Sequence, residues 1–265
     1  VNLREALDRV RARADLRARR AADPVDLVHR YTSPEDQELV ALVAASCAFG
    51  NVKAIRQKLG ELFDLVGESP ARAADDPKAL RKRVARWRHR VFRGDDVARL
   101  LAGARAVQRE AGSLGAAFAA ELARQDSLQN TREEAFREAL AVFIDRIRKA
   151  GGLDRETDRR GPAHLLADAR AGSAAKRLML FLRWMIRPAD GIDLGLWNEH
   201  VPPSRLLIPV DVHIHKLSRN LGLTKRSDLS WRTAVEITSA LARIDPDDPT
   251  RYDFSLCHMG MLQRC

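Results

Sequence analysis

Apolar residues recur every three or four positions over almost the whole of this chain, and nowhere do they alternate with polar ones for long enough to build a sheet. That periodicity predicts an all-α fold. Ser33-Pro34-Glu35-Asp36 supplies an N-cap residue, a proline at the first helical position and an acidic first turn ahead of the apolar stretch Leu39 to Phe49, which predicts a buried helix. Asn51 is placed to cap a second helix through Leu65, Asp75-Asp76-Pro77 marks a break, and Gly94-Asp95-Asp96 starts another helix. Asn130-Thr131-Arg132-Glu133 reads as a capping box for a helix ending near Gly151-Gly152, followed by the charged connection LDRETDRRGP. There is no internal repeat and no low-complexity tract. At 265 residues the chain is long enough for one domain or two packed lobes around a sizeable core.

The segment from Leu207 to Gly222, LIPVDVHIHKLSRNLG, carries the most chemistry. A Pro-Val-Asp-Val-His run leads into an amphipathic pattern, so Asp211 falls where an N-cap belongs, with Leu217 and Leu221 anchoring the helix behind it. The amides and the macrodipole at a helix mouth favour an ionised carboxylate and also suit a bound phosphate. The plain alternative is that Asp211 is only a cap and His213 only a surface residue. Upstream, His164 to Ala169 reads as a short helix, Arg170-Ala171-Gly172-Ser173 as a turn, and Ala174 to Arg187 as a second helix stopped by Pro188. Helical steps group Lys176, Leu180, Arg183 and Arg187 on one basic face, and Leu178, Phe181, Leu182 and Met185 on a core stripe.

PVDVHIHKLSRNLG resembles the aspartate-bearing signature of the helix-hairpin-helix DNA glycosylase superfamily, and Asp211 matches the catalytic position. SAAKRLMLFLRWMIRPADGIDLGLW (Ser173 to Trp197) resembles both a bacterial family of unassigned function within that superfamily and the second hairpin helix of archaeal 8-oxoguanine glycosylases. In the latter an early lysine is the nucleophile, and Lys176 matches it. With IDPDDPTRYDFSLCHMGM near the end, the similarity covers about the last hundred residues well and the first half loosely. At the interval usual in the wider superfamily the lysine would fall at Ile192, which bears no nucleophile. The longer interval from Lys176 to Asp211 fits the archaeal group, the Gly191 to Pro203 loop taking up the extra length. Lys216 follows the aspartate on its own helix and is expected to project away.

The resemblance implies a two-lobed helical protein with a catalytic cleft between the lobes, acting as a base-excision glycosylase with strand-nicking (AP lyase) activity on oxidised guanine. Asp211 would stabilise the sugar cation and Lys176 would attack C1′ of a nucleotide flipped from the duplex. His213, Gly172 and Ser173 would hold DNA phosphates. Leu180, Asp253 and Cys257 match base-pocket positions, although aromatic residues are more usual at the last, and Asp253 could accept guanine N–H donors. AASCAFGNVKAI resembles the region that fills the gap left by the flipped base, which makes Phe49, Gly50 and Asn51 wedge candidates. No cofactor or metal is implied, since Cys265 alone provides no iron–sulfur ligand set. Two alternatives stay open: a non-catalytic helix-hairpin-helix module that binds DNA or senses damage, and a monofunctional glycosylase for another lesion.

Charge agrees with a DNA partner. The 46 Lys and Arg against 36 Asp and Glu give a formal net charge of +10, which points to a polyanion. Trp87, in the run RKRVARWRHR, could be a stacking platform, but a basic helix with one buried indole accounts for it as well. Trp184, Trp197 and Trp231 invite the same pair of readings. Three cysteines exclude a disulfide framework. With no apolar run near ~20 residues and no signal-peptide core in the charged opening, the expectation is a cytoplasmic, nucleoid-associated monomer with no membrane contact.

Overall fold

The computed structural model describes residues 2–13, 15–155, 160–253 and 255–257. Its helices in chain order are α1 (Leu3–Ala12), α2 (Leu16–Ala22), α3 (Pro34–Ser46), α4 (Val52–Val66), α5 (Pro70–Ala74), α6 (Pro77–Val84), α7 (Gly94–Ala111), α8 (Leu114–Asp126), α9 (Arg132–Ala150), α10 (Arg160–Leu165), α11 (Lys176–Ile186), α12 (Val212–Asn220) and α13 (Trp231–Ala242). The fold is all-α, as the periodicity requires. One small sheet interrupts it: β1 (Arg88–His89) pairs antiparallel with β2 (Phe92–Arg93). The sequence shows no sign of this hairpin, because its turn lacks the glycine or asparagine usual at such a turn; Arg90 itself takes the left-handed conformation.

The chain forms two compact units, one of residues 20–168 and the other of residues 1–19 with 169–265. In the first unit, α3 is buried on all sides from Leu39 to Ser46. Ser33 precedes it without a capping hydrogen bond, while Asp36 turns inward to accept from Ala71 N at 2.7 Å and Ser69 Oγ at 3.1 Å. Glu38, also buried, accepts from the amides of Leu114 (2.9 Å) and Gly115 (3.1 Å) at the start of α8. An apolar helix thus carries two carboxylates that satisfy the first amides of its neighbours. Asn51 caps α4 through Ala54 N at 3.1 Å, and the capping box of α9 pairs Thr131 with Glu134. The indole of Trp87 is buried and donates to Lys58 O at 2.7 Å. Trp184, Trp197 and Trp231 are buried too, so all four tryptophans are core residues.

The second unit is built on Leu7, Ala174, Ile208, Val210, Ile214, Leu217, Ile237, Leu241, Tyr252 and Leu256, to which α1, α12, α13 and the chain's end all contribute. Its second hairpin helix starts at Lys176, two residues later than the sequence suggests, and the expected helix from His164 to Ala169 is instead the end of α10, a break, and one 3-10 turn at Ala169–Ala171. The cause is local. Gly172 and Ala175 both take positive φ, and between them Ser173 forms a β-bridge with Ser230: Trp231 N donates to Gly172 O (2.9 Å) and Ala174 N to Leu229 O (3.1 Å). Helix cannot run through residues held in an extended pair. The boundary between the units also falls here, at 168/169.

Close packing in the first unit is testable at two glycines. A Cβ on Gly103 of α7 would collide with the backbone carbonyl of Ile147 in α9, whereas one on Gly60 in α4 meets nothing within 4 Å. Gly103→Ala is expected to cost about 1–3 kcal/mol by forcing the two helices apart. Gly60→Ala is expected to add about 0.5–1 kcal/mol through helix propensity. Equal effects in thermal or urea unfolding would contradict this packing.

Candidate active site

Pro209 and Val210 lead into Asp211, the N-cap of α12. The residue three before Asp211 is fixed, since Ile208 N donates to Thr238 Oγ1 at 3.0 Å, and Ile214 and Leu217 hold the helix to the core. The two carboxylate oxygens of Asp211 are used differently. Oδ1 accepts from the amides of His213 and Ile214, both at 2.9 Å, while Oδ2 accepts from Lys176 Nζ at 3.0 Å. Lys176 is the first residue of α11, so the N-termini of two helices meet at one lysine–aspartate pair. Burial raises the Asp211 carboxyl, but the adjacent Lys176 charge and the two amides outweigh it, so its pKa lies below the usual carboxylate value. The pair is not sealed: the lysine side chain is 40% exposed and the aspartate 25%.

The rest of the presumed basic face of α11 is otherwise disposed. Arg183 and Arg187 are buried, not solvated. Arg183 donates to both oxygens of Asp193, at 3.1 and 3.3 Å, and makes a short contact to Asp253; Arg187 pairs with Asp193, with Asp190 at 3.2 Å and with Asp248 at 3.0 Å. Sequence spacing placed these arginines beside Lys176 correctly but could not supply their partners. Asp190 and Asp193 come from a loop that folds back on the helix end, and Asp248 and Asp253 from a later segment: in the loop, Leu194 N and Trp197 N donate to the carbonyls of Trp184 and Met185, both at 2.8 Å, and the Trp197 ring packs edge-on against Phe181. Asp190 opens that loop by accepting from the amides of Ile192 (3.1 Å) and Asp193 (3.0 Å). The Asp-Gly-Ile-Asp sequence just after a helix-stopping proline was the available signal for such a turn.

Asp253 is buried and already bonded to Arg183, so the group expected to read a base is a member of this network. Burial raises its carboxyl and that of Asp193, against the lowering effect of the neighbouring arginines. Cys257 and Leu180 are partly exposed. Burial of the Cys257 thiol pushes its pKa well up, with Asp253 and Asp211 adding to the effect and Arg183 and Lys176 opposing it, which places the thiol in the electrostatic reach of the pair. His213, Gly172 and Ser173 are exposed, and Lys216 is exposed further along α12. The wedge candidates Phe49, Gly50 and Asn51 belong to the other unit, where Asn51 is a helix cap and Phe49 packs edge-on against Phe92 and His164. Cys265, and the residues after Cys257 in the last quoted motif, lie outside the described residues.

The fold and the pair define an all-α protein with an open lysine–aspartate couple held between two helix N-termini. The chain belongs to the family described as "Protein of unknown function (DUF2400)", whose model matches residues 23–262. No curated protein and no solved structure matches it. Among the described residues no helix is long and apolar enough to cross a membrane.

The network behind the pair makes a stability prediction. Arg183→Met leaves Asp193 and Asp253 buried with one cationic partner fewer, a loss of about 3–5 kcal/mol. With burial then less opposed, both carboxyls have folded-state pKa values raised above the unfolded ones, so the folded state takes up protons and the deficit grows as pH rises above about 4. The variant is expected to be relatively less impaired at pH 5 than at pH 7.5 by thermal unfolding; a pH-independent deficit would show that the carboxyls are not the cause.

Proposed function

We propose that this protein is a DNA base-excision glycosylase with AP lyase activity, acting on oxidised guanine. The observation that carries the reading is the 3.0 Å approach of Lys176 Nζ to Asp211 Oδ2, between residues 35 apart in sequence, on the two motifs that resemble the glycosylase superfamily. An amine attacks C1′ only when unprotonated, and on bonding it sheds a proton. Asp211 Oδ2 is placed to relay that proton to O4′ of the sugar, whose bond to C1′ breaks as the ring opens, so the carboxylate returns to its ionised form. As the C1′–N bond breaks, its electron pair leaves with the base and positive charge builds on the sugar, which an ionised carboxylate stabilises. The ring then opens to a Schiff base on Lys176, from which loss of the C2′ proton expels the 3′-phosphate and nicks the strand.

The depressed pKa of Asp211 suits this role, because the carboxylate is charged throughout the neutral range. The exposure of the lysine suits a polymeric substrate. Leu180, one turn along α11 from Lys176, and Cys257 are both partly exposed and are the candidate base contacts, while Asp253 is bonded to Arg183. His213, Gly172 and Ser173 are exposed and are the candidate phosphate contacts.

Borohydride trapping on duplexes containing 8-oxoguanine, uracil, alkylated purines or an abasic site tests the reading. The wild type is expected to form a covalent adduct with the 8-oxoguanine and abasic duplexes. Lys176→Gln is expected to abolish base release and trapping while leaving DNA binding largely intact. Asp211→Asn keeps a capping oxygen for His213 and Ile214 but removes the charge, so base release is expected to fall by about 100-fold or more. Cleavage of a pre-formed abasic site, which has no glycosidic bond left to break, is expected to survive that change better. Full activity in Lys176→Gln would remove the lyase assignment, and no adduct with any duplex would leave a binding module or a monofunctional enzyme.

A further inference from the structure

The base-excision chemistry leaves the basic run from Arg81 to Arg93 without a role. Beyond the end of α6 it folds into the β1–β2 hairpin, whose inner side is pinned: Trp87, His89 and Phe92 are buried, and Gly94 N donates to Trp87 O at 3.0 Å. Arg88, Arg90 and Arg93 are exposed on the other side. Arg88 and Arg93 are directly opposite in the register, a juxtaposition of like charges that works against pairing. Arg90 takes φ +55°, in the left-handed region, and its guanidinium lies 4.8 Å from the centroid of the Phe49 ring. It fills the space where any Cβ on Gly50, itself at φ +101°, would stand. Phe49 and Gly50 therefore form a seat for Arg90.

These three arginines and Arg160 of α10, with Val91 and Gly161, line an open depression of 320 Å³. Among the described residues no carboxylate lines it and none of the four arginines has an acidic partner. Several other arginines of this unit are paired with acids, among them Arg105 with Asp75 and Glu35 and Arg124 with Glu121. Three guanidiniums on the hairpin and a fourth on α10, with no acidic partner among the described residues, are costly to the fold alone and favourable once an anion lies among them. The planar guanidinium fork matches phosphate oxygens, and an open row on a ribbon suits phosphates strung along a backbone better than one enclosed ion.

We propose that the β1–β2 hairpin and Arg160 form a DNA-backbone contact of this protein, with Arg90 pre-positioned by Phe49 and Gly50. The proposal rests on the base-excision reading only in taking DNA as the polymer. Its test is binding of the full chain to an undamaged fluorescent duplex by anisotropy across a salt series, which needs no lesion and no catalysis. Arg88→Gln/Arg90→Gln/Arg93→Gln is expected to weaken binding on the order of 100-fold at about 0.1 M salt and to flatten the log K against log salt slope by about 3. A control with the same change in net charge at three other exposed cations, Arg4→Gln/Lys78→Gln/Arg232→Gln, is expected to lose about threefold or less. Arg160→Gln, outside the hairpin, keeps the test independent of hairpin folding and is expected to lower the slope by about 1.

Equal losses in the two triple variants would reduce the effect to net charge and overturn the site. So would wild-type affinity in the hairpin variant or an unchanged slope in Arg160→Gln. The two readings fail separately. Loss of borohydride trapping with the hairpin effect intact removes the enzyme and keeps the contact, while trapping with no hairpin effect does the reverse.

Discussion

Two buried arginines on α11 dictate much of what surrounds them. Taking a guanidinium out of water costs several kcal/mol unless charge and hydrogen bonds are supplied in its place, and Arg183 and Arg187 are both buried. Four aspartates supply them: Asp190 and Asp193 from the loop after the helix, Asp248 and Asp253 from the segment near the chain's end. That requirement explains why residues 188–197 fold back over the carbonyls of Trp184 and Met185 and do not trail away. It also ties the last described turns of the chain to the helix whose first residue is Lys176. The lysine is therefore the solvent-facing end of a helix whose other end is locked by charge.

Asp211 shows the same economy at a smaller scale. A capping carboxylate usually needs one oxygen, and Oδ1 alone satisfies the His213 and Ile214 amides. The second oxygen is left to Lys176. Because the cap fixes the carboxylate's plane, the position of Oδ2 is set by the backbone of α12 and not by rotamer preference. A reacting group held this way loses little entropy when it acts, which is the condition for positioned acid–base or electrostatic catalysis.

Much of this was legible in the sequence, where punctuation is dense. Asn51, Gly94, Thr131 and Asp211 all begin helices where the sequence reading puts a start, Asp75-Asp76-Pro77 breaks the chain between two helices, and the convergence of Lys176 on Asp211 follows once the two motifs are matched. What sequence could not give are pairings between distant segments. Helical spacing put Arg183 and Arg187 on the side of Lys176, but only tertiary structure reveals that this side is interior from Arg183 onward. The hairpin helix boundary was displaced for a similar reason, since the bridge between Ser173 and Ser230 joins residues nearly sixty positions apart in sequence. The β1–β2 hairpin stayed hidden because its turn uses Arg90 where local rules expect glycine or asparagine.

That exception connects two facts that local reasoning keeps apart. A left-handed arginine carries a backbone strain that a glycine would avoid, and a glycine at position 50 forgoes a side chain in a well-packed region. Each is a small loss by itself. Together they seat one guanidinium over one aromatic ring, with its neighbours held on the same ribbon and no acid among them. Phe49 and Gly50, the residues the motif marked as wedge candidates, are thus also the seat of Arg90. The net charge of +10 is accordingly uneven in its consequences: in α11 the arginines are consumed by the fold, and at the hairpin they are left to the solvent and to whatever anion it carries.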